Sequence, residues 1–414
     1  MRLIALLFTL PLAAICQTSG ERLDLHQLVD EALRRNPEVL AARKKYEAAR
    51  QRPAQERSLP DPTLSLGWNS TGNPLPFAGV GTDPVANAGI MASQEFPAPG
   101  KLRLRGEVAS KEAEAEAQEY RAIALGVSAR VKLAYFGLEH AWLIREVYER
   151  NREVLRSLLH STEARYSVGK AMQADVFKAQ TQITIVETRL IQIDREKHAR
   201  ELEINSLLNR APETPVARPA ELHSAPLAFS VEELIAKAAK SAPSLTRDQK
   251  MIERAGSALD LARKDYYPDV TLNAGYFYMG SMAPMYTFRA DVKIPLRLSR
   301  TRAEVTERSE EVSQAKYTYE ATAQSLQYRI RDEYLGAQTA QKLVDLYTRT
   351  VMPQAKLAVE SSLASYQTGG SDFLSVLTSE LAVFDYEMNY HEQLHDFHMA
   401  LVQLEQLTGV ELIR

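Results

Sequence analysis

The chain has 414 residues with a formal net charge of -3; 45% of its residues are hydrophobic and 25% are charged. This length allows one large domain or two average domains. The near-neutral charge argues against nucleic-acid binding, which usually brings a strong basic bias. Glycine and proline are too sparse for a disordered chain, and long stretches rich in Ala, Glu, Leu and Arg favour helix.

The N-terminus has the pattern of an export signal. The stretch Leu3 to Ile15 is almost entirely apolar, which is long enough for a signal core and too short to span a bilayer. We therefore predict a signal peptide over residues 1–20. Two alternatives remain for Cys16, the single cysteine. It is either the lipid-modified first residue of a lipoprotein cut before Cys16, or an unmodified residue near an ordinary cleavage site.

The two halves of the chain repeat one another, and such a duplication organises a fold. Five anchors recur about 200 residues apart: Asn36-Pro37 and Ala242-Pro243, Pro60-Asp61 and Pro268-Asp269, Phe96-Pro97 and Ile294-Pro295, Tyr166 to Gly169 and Tyr366 to Gly369, and Leu207-Leu208 and Leu407-Thr408. We predict a first repeat over 21–209, a proline-containing linker over 210–230 and a second repeat over 231–414. Each repeat is predicted as two helices, two strands and two long helices.

Four segments alternate apolar and polar residues with the period of a strand. They are Thr63–Asn69, Asn87–Ser93, Val270–Tyr278 and Tyr286–Ile294. One interpretation is a half-buried sheet of a soluble domain. The other is a membrane sheet with its apolar face towards lipid and its polar face towards a wet lumen. No later segment is long enough for an apolar membrane helix, and four strands cannot close a barrel alone, so the second interpretation requires an oligomer.

Long helical stretches follow each pair of strands. Lys101 to Arg165 contains no proline and as one helix would reach roughly 98 Å at 1.5 Å per residue. Further helices are predicted over Ala174–Leu208, from Thr301 to about Val351, and from Asp372 to about Leu407. The last helix has two adjacent apolar stripes, which suits the wall of a helical tube. An ordinary soluble coiled coil or long bundle would explain the helices but not the duplicated strands.

Two groups of residues are candidates for metal binding. His391, His395 and His398 share one helix face and could bind Zn or Cu, although an ordinary helix contact is favoured. Met279, Met282 and Met285 could offer thioethers to Cu(I) or Ag(I), or could be flexible apolar filler. The sequence contains no Gly-rich phosphate loop and no nucleophile–base pattern, so we predict neither an enzyme nor a cofactor.

The order of elements and the anchors resemble the TolC-like outer-membrane factors of Gram-negative bacteria. The resemblance covers nearly all of the mature chain. The segment Gln94 to Lys101, followed by Leu102 to Arg105, resembles the turn after the second strand in the heavy-metal branch represented by CusC and CzcC. The turn signatures at Tyr166 to Gly169 and at Tyr366 to Asp372 also fit the family.

The resemblance implies a mainly α fold with a small β part, assembled as a homotrimer. Each subunit would give four strands to a shared twelve-stranded transmembrane β-barrel, surrounded by outer-membrane lipid. The long helices would form an α-helical barrel in the periplasm. It implies a periplasmic adaptor protein and an inner-membrane pump, of the resistance-nodulation-division type, as partners.

The resemblance also assigns roles to residues at the two turns. Adaptor docking falls on Tyr166, Gly169, Tyr366, Gly369 and Gly370. The pore constriction falls on Asp372, with Asp175 as a weaker counterpart, and a ring of carboxylates would favour cations. Asp372 equally fits a helix N-cap.

These observations predict a passive exit duct in the outer membrane that conducts heavy-metal cations. One alternative is a multidrug or general efflux or secretion duct. An alternative of another class is a periplasmic adaptor or a structural coiled-coil protein.

Overall fold

The computed structural model describes residues 23–220 and 227–413. The predicted signal peptide, including Cys16, lies outside these ranges, so its cleavage and lipidation stay predictions. The chain divides into two compact units, each built from three separate segments. Unit 1 combines Met1–Glu31, Val131–Ser224 and Val344–His395; unit 2 combines Ala32–Arg130, Ala225–Leu343 and Asp396–Arg414.

The first half follows the predicted order of two helical regions, two strands and two long helices. Asn36 caps its second helix, because its side-chain oxygen accepts the Glu38 N–H at 2.9 Å, and Pro37 starts that helix where no N–H is needed. The elements are α1 (Leu25–Arg35), α2 (Pro37–Ala49), α3 (Arg52–Arg57), β1 (Thr63–Asn69), β2 (Asn87–Phe96), α4 (Lys101–Ser167) and α5 (Gln173–Leu207).

The second half repeats this order. Ser230 and Glu233 form a capping box at its first helix, since each side chain accepts the other residue's backbone N–H. The elements are α6 (Val231–Ser241), α7 (Pro243–Arg263), β3 (Asp269–Tyr278), β4 (Met285–Lys293), α8 (Leu298–Leu346), α9 (Met352–Thr368) and α10 (Phe373–Thr408), with a π-helical turn over Tyr347–Val351.

The helix predicted to end near Val351 does not end there, and this prediction was wrong. The chain passes through the π-helical turn at Tyr347–Val351 directly into α9. Pro353 lies in the first turn of α9, directly after the π-helical turn, and as a proline it has no N–H to donate to the preceding turn. A proline usually marks a helix end, whereas here the wider π turn lets the helical path continue past Pro353.

The two halves differ in the region before their strands. In the second half α7 runs unbroken for 21 residues. In the first half α2 ends at Ala49, and the short helix α3 follows, with Pro53 in its first turn. Pro53 lacks the N–H that a continuous helix would need at this position. The single helix predicted for this region is therefore two.

The four strands form one antiparallel sheet in the order β1-β2-β3-β4. The halves meet at β2 and β3, where Ser93 lies opposite Asn273. β1 and β4 are the two edges. One face of the sheet is apolar and solvent-exposed; its members include Leu64, Leu66, Trp68, Ile90, Leu272, Tyr276, Tyr278, Tyr286, Phe288 and Val292. The opposite face carries a polar chain in which Ser93 hydrogen-bonds Asn273, and Asn273 hydrogen-bonds Asp291.

Each unit has its own apolar cluster. In unit 1, α4, α5, α9 and α10 pack around Leu155, Leu158, Ala179, Val186, Leu190, Tyr366, Phe373, Val376 and Leu377. In unit 2, α6, α7, α8 and α10 pack around Leu234, Ala238, Ala242, Leu245, Leu326, Ile330, Leu404 and Leu407. Within residues 23–220 and 227–413, no helix is both long enough and apolar enough to cross a membrane.

A polar contact joins α4 to α7 in unit 2. Four pairs of oppositely charged side chains bridge these helices: Lys111–Glu253 at 2.7 Å, Lys250–Glu114 at 3.0 Å, Arg247–Glu119 at 2.9 Å and Arg254–Glu112 at 3.3 Å. The hydrogen bond from Lys111 holds the pKa of Glu253 below its usual value. The contact between α4 and α7 therefore depends on charge, whereas the unit 1 cluster depends on apolar packing.

Candidate functional site

The first of the two predicted turns links α4 to α5 in unit 1. Gly169 has a φ of +73°, a left-handed conformation that favours glycine. The Gly169 N–H donates to the Tyr166 carbonyl at 2.9 Å and the Lys170 N–H to the Arg165 carbonyl at 2.8 Å. Both bonds satisfy carbonyls at the end of α4. Beside this turn, 46% of Tyr166 and 72% of Met172 are exposed.

The second turn links α9 to α10, and its backbone ends the helix in the same way, with a left-handed glycine. Gly369 has a φ of +84°, and the Gly370 N–H donates to the Ser365 carbonyl at 2.7 Å. Its tyrosine, however, has a different environment. Tyr366 is only 5% exposed, and its ring packs edge-on against Phe373 at 6.4 Å. The side chain of Tyr366 therefore builds this turn and does not form its outer surface.

Arg165 joins the two turns. Its guanidinium carbon lies 4.2 Å from the centre of the Tyr366 ring, within the range of a cation–π contact. Its Nη1 also donates to the Tyr366 carbonyl at 3.0 Å. The predicted turn residues of the two repeats are thus brought together in one place. This contact could not be predicted from the sequence, in which Arg165 was only the last residue of a predicted helix.

The two aspartates predicted at a pore constriction both lie at helix starts. Asp372 Oδ1 accepts the Ser375 N–H at 2.9 Å, so Asp372 is the N-cap of α10. Asp175 accepts the Met172 N–H at 3.4 Å and has the Lys178 ammonium at 3.8 Å. Asp372 is exposed, whereas only 15% of the Asp175 side chain is exposed. Of the two carboxylates, Asp372 is the more exposed to solvent.

Asp372 also lines a groove between the π-helical turn, α9 and α10. The groove has a volume of about 820 Å³. Its walls are formed mainly by small and hydroxyl side chains: Val351, Gln354, Ala355, Ala358, Asp372, Leu374, Ser375, Thr378, Ser379, Ala382 and Tyr386.

The three candidate histidines have different surroundings. His395 stacks on His140 of α4, with ring centres 4.5 Å apart, whereas His398 lies beside Phe397, with ring centres 5.8 Å apart. In the part of the chain that the structure describes, no three His, Cys, Asp or Glu side chains converge as metal ligands. His391 and His395 both lie near His140, whereas His398 lies beside Phe397, so the described residues show no assembled set of His391, His395 and His398.

The sequence did not single out His140 as a candidate site residue. Burial lowers its pKa from 6.5 to about 3, and the nearby His395, His391 and Arg200 add to this effect. Its Nε2 lies 3.4 Å from a carboxylate oxygen of Glu392. His140 is consequently neutral at ordinary pH, and it places an uncharged imidazole in the contact between α4 and α10.

The methionines lie where β3 turns into β4. Met279 and Met282 belong to the turn, in which the Met282 N–H approaches the Met279 carbonyl at 3.4 Å, and Met285 opens β4. Their role as thioether ligands stays a prediction.

The motif Gln94 to Lys101 joins the sheet to the helices. The Lys101 side chain is 5% exposed, and its ammonium lies 2.9 Å from Asp265 and 3.0 Å from Asp269. Burial alone would lower the pKa of Lys101, but the hydrogen bonds that its ammonium donates to these two carboxylates outweigh this effect and raise the pKa. At the other end of the motif, Gln94 donates to the Pro60 carbonyl at 2.8 Å. These contacts assign the motif a structural role at the base of the sheet.

The architecture defines a class of protein. Two paired helical turns, a duplicated helical body and a sheet with an exposed apolar face are the parts of an oligomeric channel subunit. The family model for outer membrane efflux proteins matches residues 28–210 and 234–410. The chain belongs to the outer membrane efflux protein family.

Individual relatives have low sequence identity but similar length. The chain is 23% identical over 408 residues to outer membrane protein TolC of Vibrio cholerae, covering 93% of this chain and 90% of that protein. Among solved structures, VceC of Vibrio cholerae has a TM-score of 0.79 at 20% identity, covering 93% of this chain and 96% of VceC. A structure of CusC has a TM-score of 0.78 at 17% identity, covering 93% and 91%.

Family membership confirms the coarse predictions made from the sequence. The chain is an outer-membrane efflux channel subunit, with its helical part in the periplasm, and such channels are passive ducts and not enzymes. Members of this family form trimers and work with adaptor proteins and inner-membrane pumps. The alternative of a periplasmic adaptor or structural coiled-coil protein no longer applies.

Proposed function

We propose that this chain is the exit duct of a tripartite efflux system that conducts heavy-metal cations out of the cell. Three copies would together supply twelve strands and close the sheet, so that the apolar face contacts lipid and the polar face lines the lumen. The observation that carries the duct is the two-faced sheet: Phe288 exposes 82% of its surface on one face, while Ser93, Asn273 and Asp291 form a polar chain on the other.

The two turns are the proposed docking surface for the adaptor, and the pump behind it is proposed to be of the resistance-nodulation-division type. Gly169, Gly369 and Gly370 shape the turns, and Tyr166 offers an exposed ring beside the first of them. Tyr366 takes part indirectly, because its buried ring and carbonyl fix Arg165 between the turns.

The cargo proposal rests on Asp372 and on the resemblance of the chain to the heavy-metal branch. Asp372 is exposed at the start of α10. Three copies of this carboxylate around a narrow passage would attract cations and repel anions. Asp175 is the proposed minor contributor, since Lys178 lies beside it.

The charge of Asp372 can be tested separately from its capping role. Asp372→Asn keeps a side-chain oxygen for the Ser375 N–H, because asparagine is as good an N-cap as aspartate, but it removes the charge. Asp372→Ala removes both. The measurement is the resistance of a strain lacking the chromosomal gene, complemented with each variant, towards Cu, Ag, Zn, Co and Cd and towards dyes and antibiotics.

We expect Asp372→Asn to lower metal resistance by roughly the factor that the loss of one charge per subunit imposes, about five- to tenfold, at unchanged outer-membrane protein level. Dye resistance should be unaffected. A gene-deleted strain that is unaffected by all five metals but sensitised to dyes would reject metal cargo and support the second candidate, a multidrug or general duct. One observation favours the multidrug or general duct. The Gln94–Lys101 motif, which carries the resemblance to the heavy-metal branch, makes a structural contact within the chain, because Lys101 donates to Asp269.

A further inference from the structure

The two loops at one end of the sheet have an unusual composition. The β1–β2 loop covers residues 70–86, and the β3–β4 turn covers residues 279–284. Together they contain a single charged residue, Asp83. Apolar side chains are nevertheless exposed there: 64% of Leu75, 66% of Phe77 and 62% of Val85. Loops in contact with water are usually polar, and a cluster of exposed apolar side chains generally marks a contact surface.

The β1–β2 loop is held in shape by its own backbone. The Val80 N–H donates to the Phe77 carbonyl at 3.2 Å, and the Asp83 N–H donates to the Gly79 carbonyl at 2.8 Å. Ser281 of the β3–β4 turn donates its hydroxyl to the Gly81 carbonyl at 2.8 Å. Asp83 accepts the Val85 N–H at 2.8 Å, so even the one carboxylate is engaged locally. The loop satisfies its polar groups internally and leaves its apolar side chains outside.

Phe77 is the clearest example of an apolar side chain that the loop leaves exposed. Its φ is +63°, in the left-handed region that bulky residues rarely adopt. The surrounding hydrogen bonds hold the backbone there, yet the ring is not packed into the loop. An aromatic side chain held exposed in this way, beside the exposed Leu75 and Val85, is typical of a contact surface.

The apolar face of the sheet continues to the end from which these loops emerge. Trp68 is the second-last residue of β1 and is 49% exposed; Tyr278 ends β3 and is 54% exposed; Tyr286, near the start of β4, is 65% exposed. Aromatic side chains at strand ends are typical of the membrane interface. The two loops follow directly from these strand ends, and Asp83 is their single charged residue.

We propose that the β1–β2 loop, through Leu75, Phe77 and Val85, is a lipid-contacting surface that enters the interfacial layer of the membrane beside the sheet. This inference rests on the proposed function, in which the apolar face of the sheet contacts lipid. Lipid is favoured over a second copy of the chain because the loop starts directly after the aromatic end of β1, whose apolar face lipid would cover. The loop would then fix the depth of the duct in the membrane.

The test uses single tryptophan reporters in the full-length protein. Trp68→Phe and Trp142→Phe remove both native tryptophans, and Phe77→Trp or Leu75→Trp introduces the reporter. The protein is reconstituted into phosphatidylcholine vesicles whose acyl chains carry bromine, a contact quencher of tryptophan. Tyr278→Trp reports on the sheet face. Val168→Trp is the matched water control, because Val168 and Phe77 each expose 66% of their surface.

We expect Phe77→Trp and Leu75→Trp to emit at short wavelength and to lose roughly half of their emission to brominated lipid, as interfacial side chains do, while Val168→Trp is quenched only by aqueous iodide. Long-wavelength emission quenched by iodide in both loop reporters would overturn the proposal in favour of water. Short-wavelength emission untouched by bromine would overturn it in favour of a contact between copies. If Tyr278→Trp also resists bromine, the lipid-facing sheet itself is refuted, which separates the two failures.

Discussion

In its first third, α4 contacts α7 through charged side chains. In its last third, α4 shares a buried apolar cluster with α5, α9 and α10, and its ion pairs with α5 and α10 lie outside that cluster. The charged residues from Lys111 to Glu119 remain about one-third exposed. Leu155 in the last third is fully buried. One helix with one composition is therefore held in two ways, within two separate units.

The difference between these two parts of α4 shows which kind of interaction stabilises each contact. Partly exposed ion pairs each contribute little and are screened by salt. Buried apolar side chains contribute more, and they do so independently of pH and salt. A contact of the first kind tolerates water and rearrangement, whereas one of the second kind requires close packing.

Truncation of the apolar contact should have the largest effect. Leu155→Ala removes a side chain with 0% exposure, and we expect a loss of about 3 kcal/mol in local unfolding free energy. Native-state hydrogen exchange of amides near Leu155 measures this. Leu374→Ala, at a position 48% exposed in the same hairpin, is the control and should cost about 0.5 kcal/mol or less. Equal losses in the two variants would show that the cluster is not the source of stability.

Loss of the buried lysine at the base of the sheet should come next. Lys101→Met keeps the length of the side chain but leaves Asp265 and Asp269 without their cation. We expect a loss of about 2 kcal/mol, less than for a fully buried pair because Asp265 is partly exposed. The midpoint of guanidinium unfolding reports it. Arg103→Met, which removes an exposed pair with Glu107, should be nearly neutral; an equally large effect there would argue against a special role for Lys101.

Acid should weaken the α4–α10 contact. His140 titrates at about 3 when the contact is closed, against 6.5 when it is open. Between these two values, His140 is neutral in the closed contact but takes up a proton when the contact opens. The stability of the contact should therefore fall by about 1.4 kcal/mol for each unit by which the pH is lowered. Above pH 6.5 the effect is absent.

His140→Phe isolates the contribution of His140 protonation, because phenylalanine keeps a ring against His395 but binds no proton. The urea midpoints of both proteins, followed from about pH 7 to about pH 5, should diverge as the pH falls. Glu392 and Arg200, which face His140, are unchanged in both proteins. Parallel curves would contradict the assignment.

The smallest effect belongs to the ionic contact. Lys111→Glu should cost about 0.5–1 kcal/mol at low salt, since it places like charges next to Glu253 and Glu114. The double variant Lys111→Glu with Glu253→Lys should recover most of the loss. Both differences should shrink at about 1 M salt, where the screening length is about 3 Å. A cost that does not change with salt would show that packing, and not charge, holds α4 to α7.

Local patterns predicted much of the fold. The start of α4 at Lys101, the strand β1 at Thr63–Asn69 and the turn at Gly369 could be predicted because periodicity and glycine act on neighbouring residues. The path through Pro353 could not. A proline in the sequence predicts a helix end, whereas here the five-residue π turn before it allows the helix to continue.

The site was less predictable, because its contacts join distant residues. Nothing near Arg165 indicates that it meets Tyr366, and nothing near Lys101 indicates Asp265 and Asp269. The repeated Pro-Asp dipeptide at Pro60 and Pro268 was the only available signal for the latter. His140 was overlooked because a lone histidine in a helix carries no pattern, and its stacking on His395 arises only when α4 and α10 pack together.

The unpaired edges of the sheet have a consequence for biogenesis. β1 and β4 each present a row of backbone donors and acceptors on their outer side, and unprotected edges of this kind invite wrong partners. A newly exported chain would carry two such edges beside an apolar face. We therefore expect a single copy to be prone to wrong strand pairing until β1 and β4 are covered by neighbouring strands.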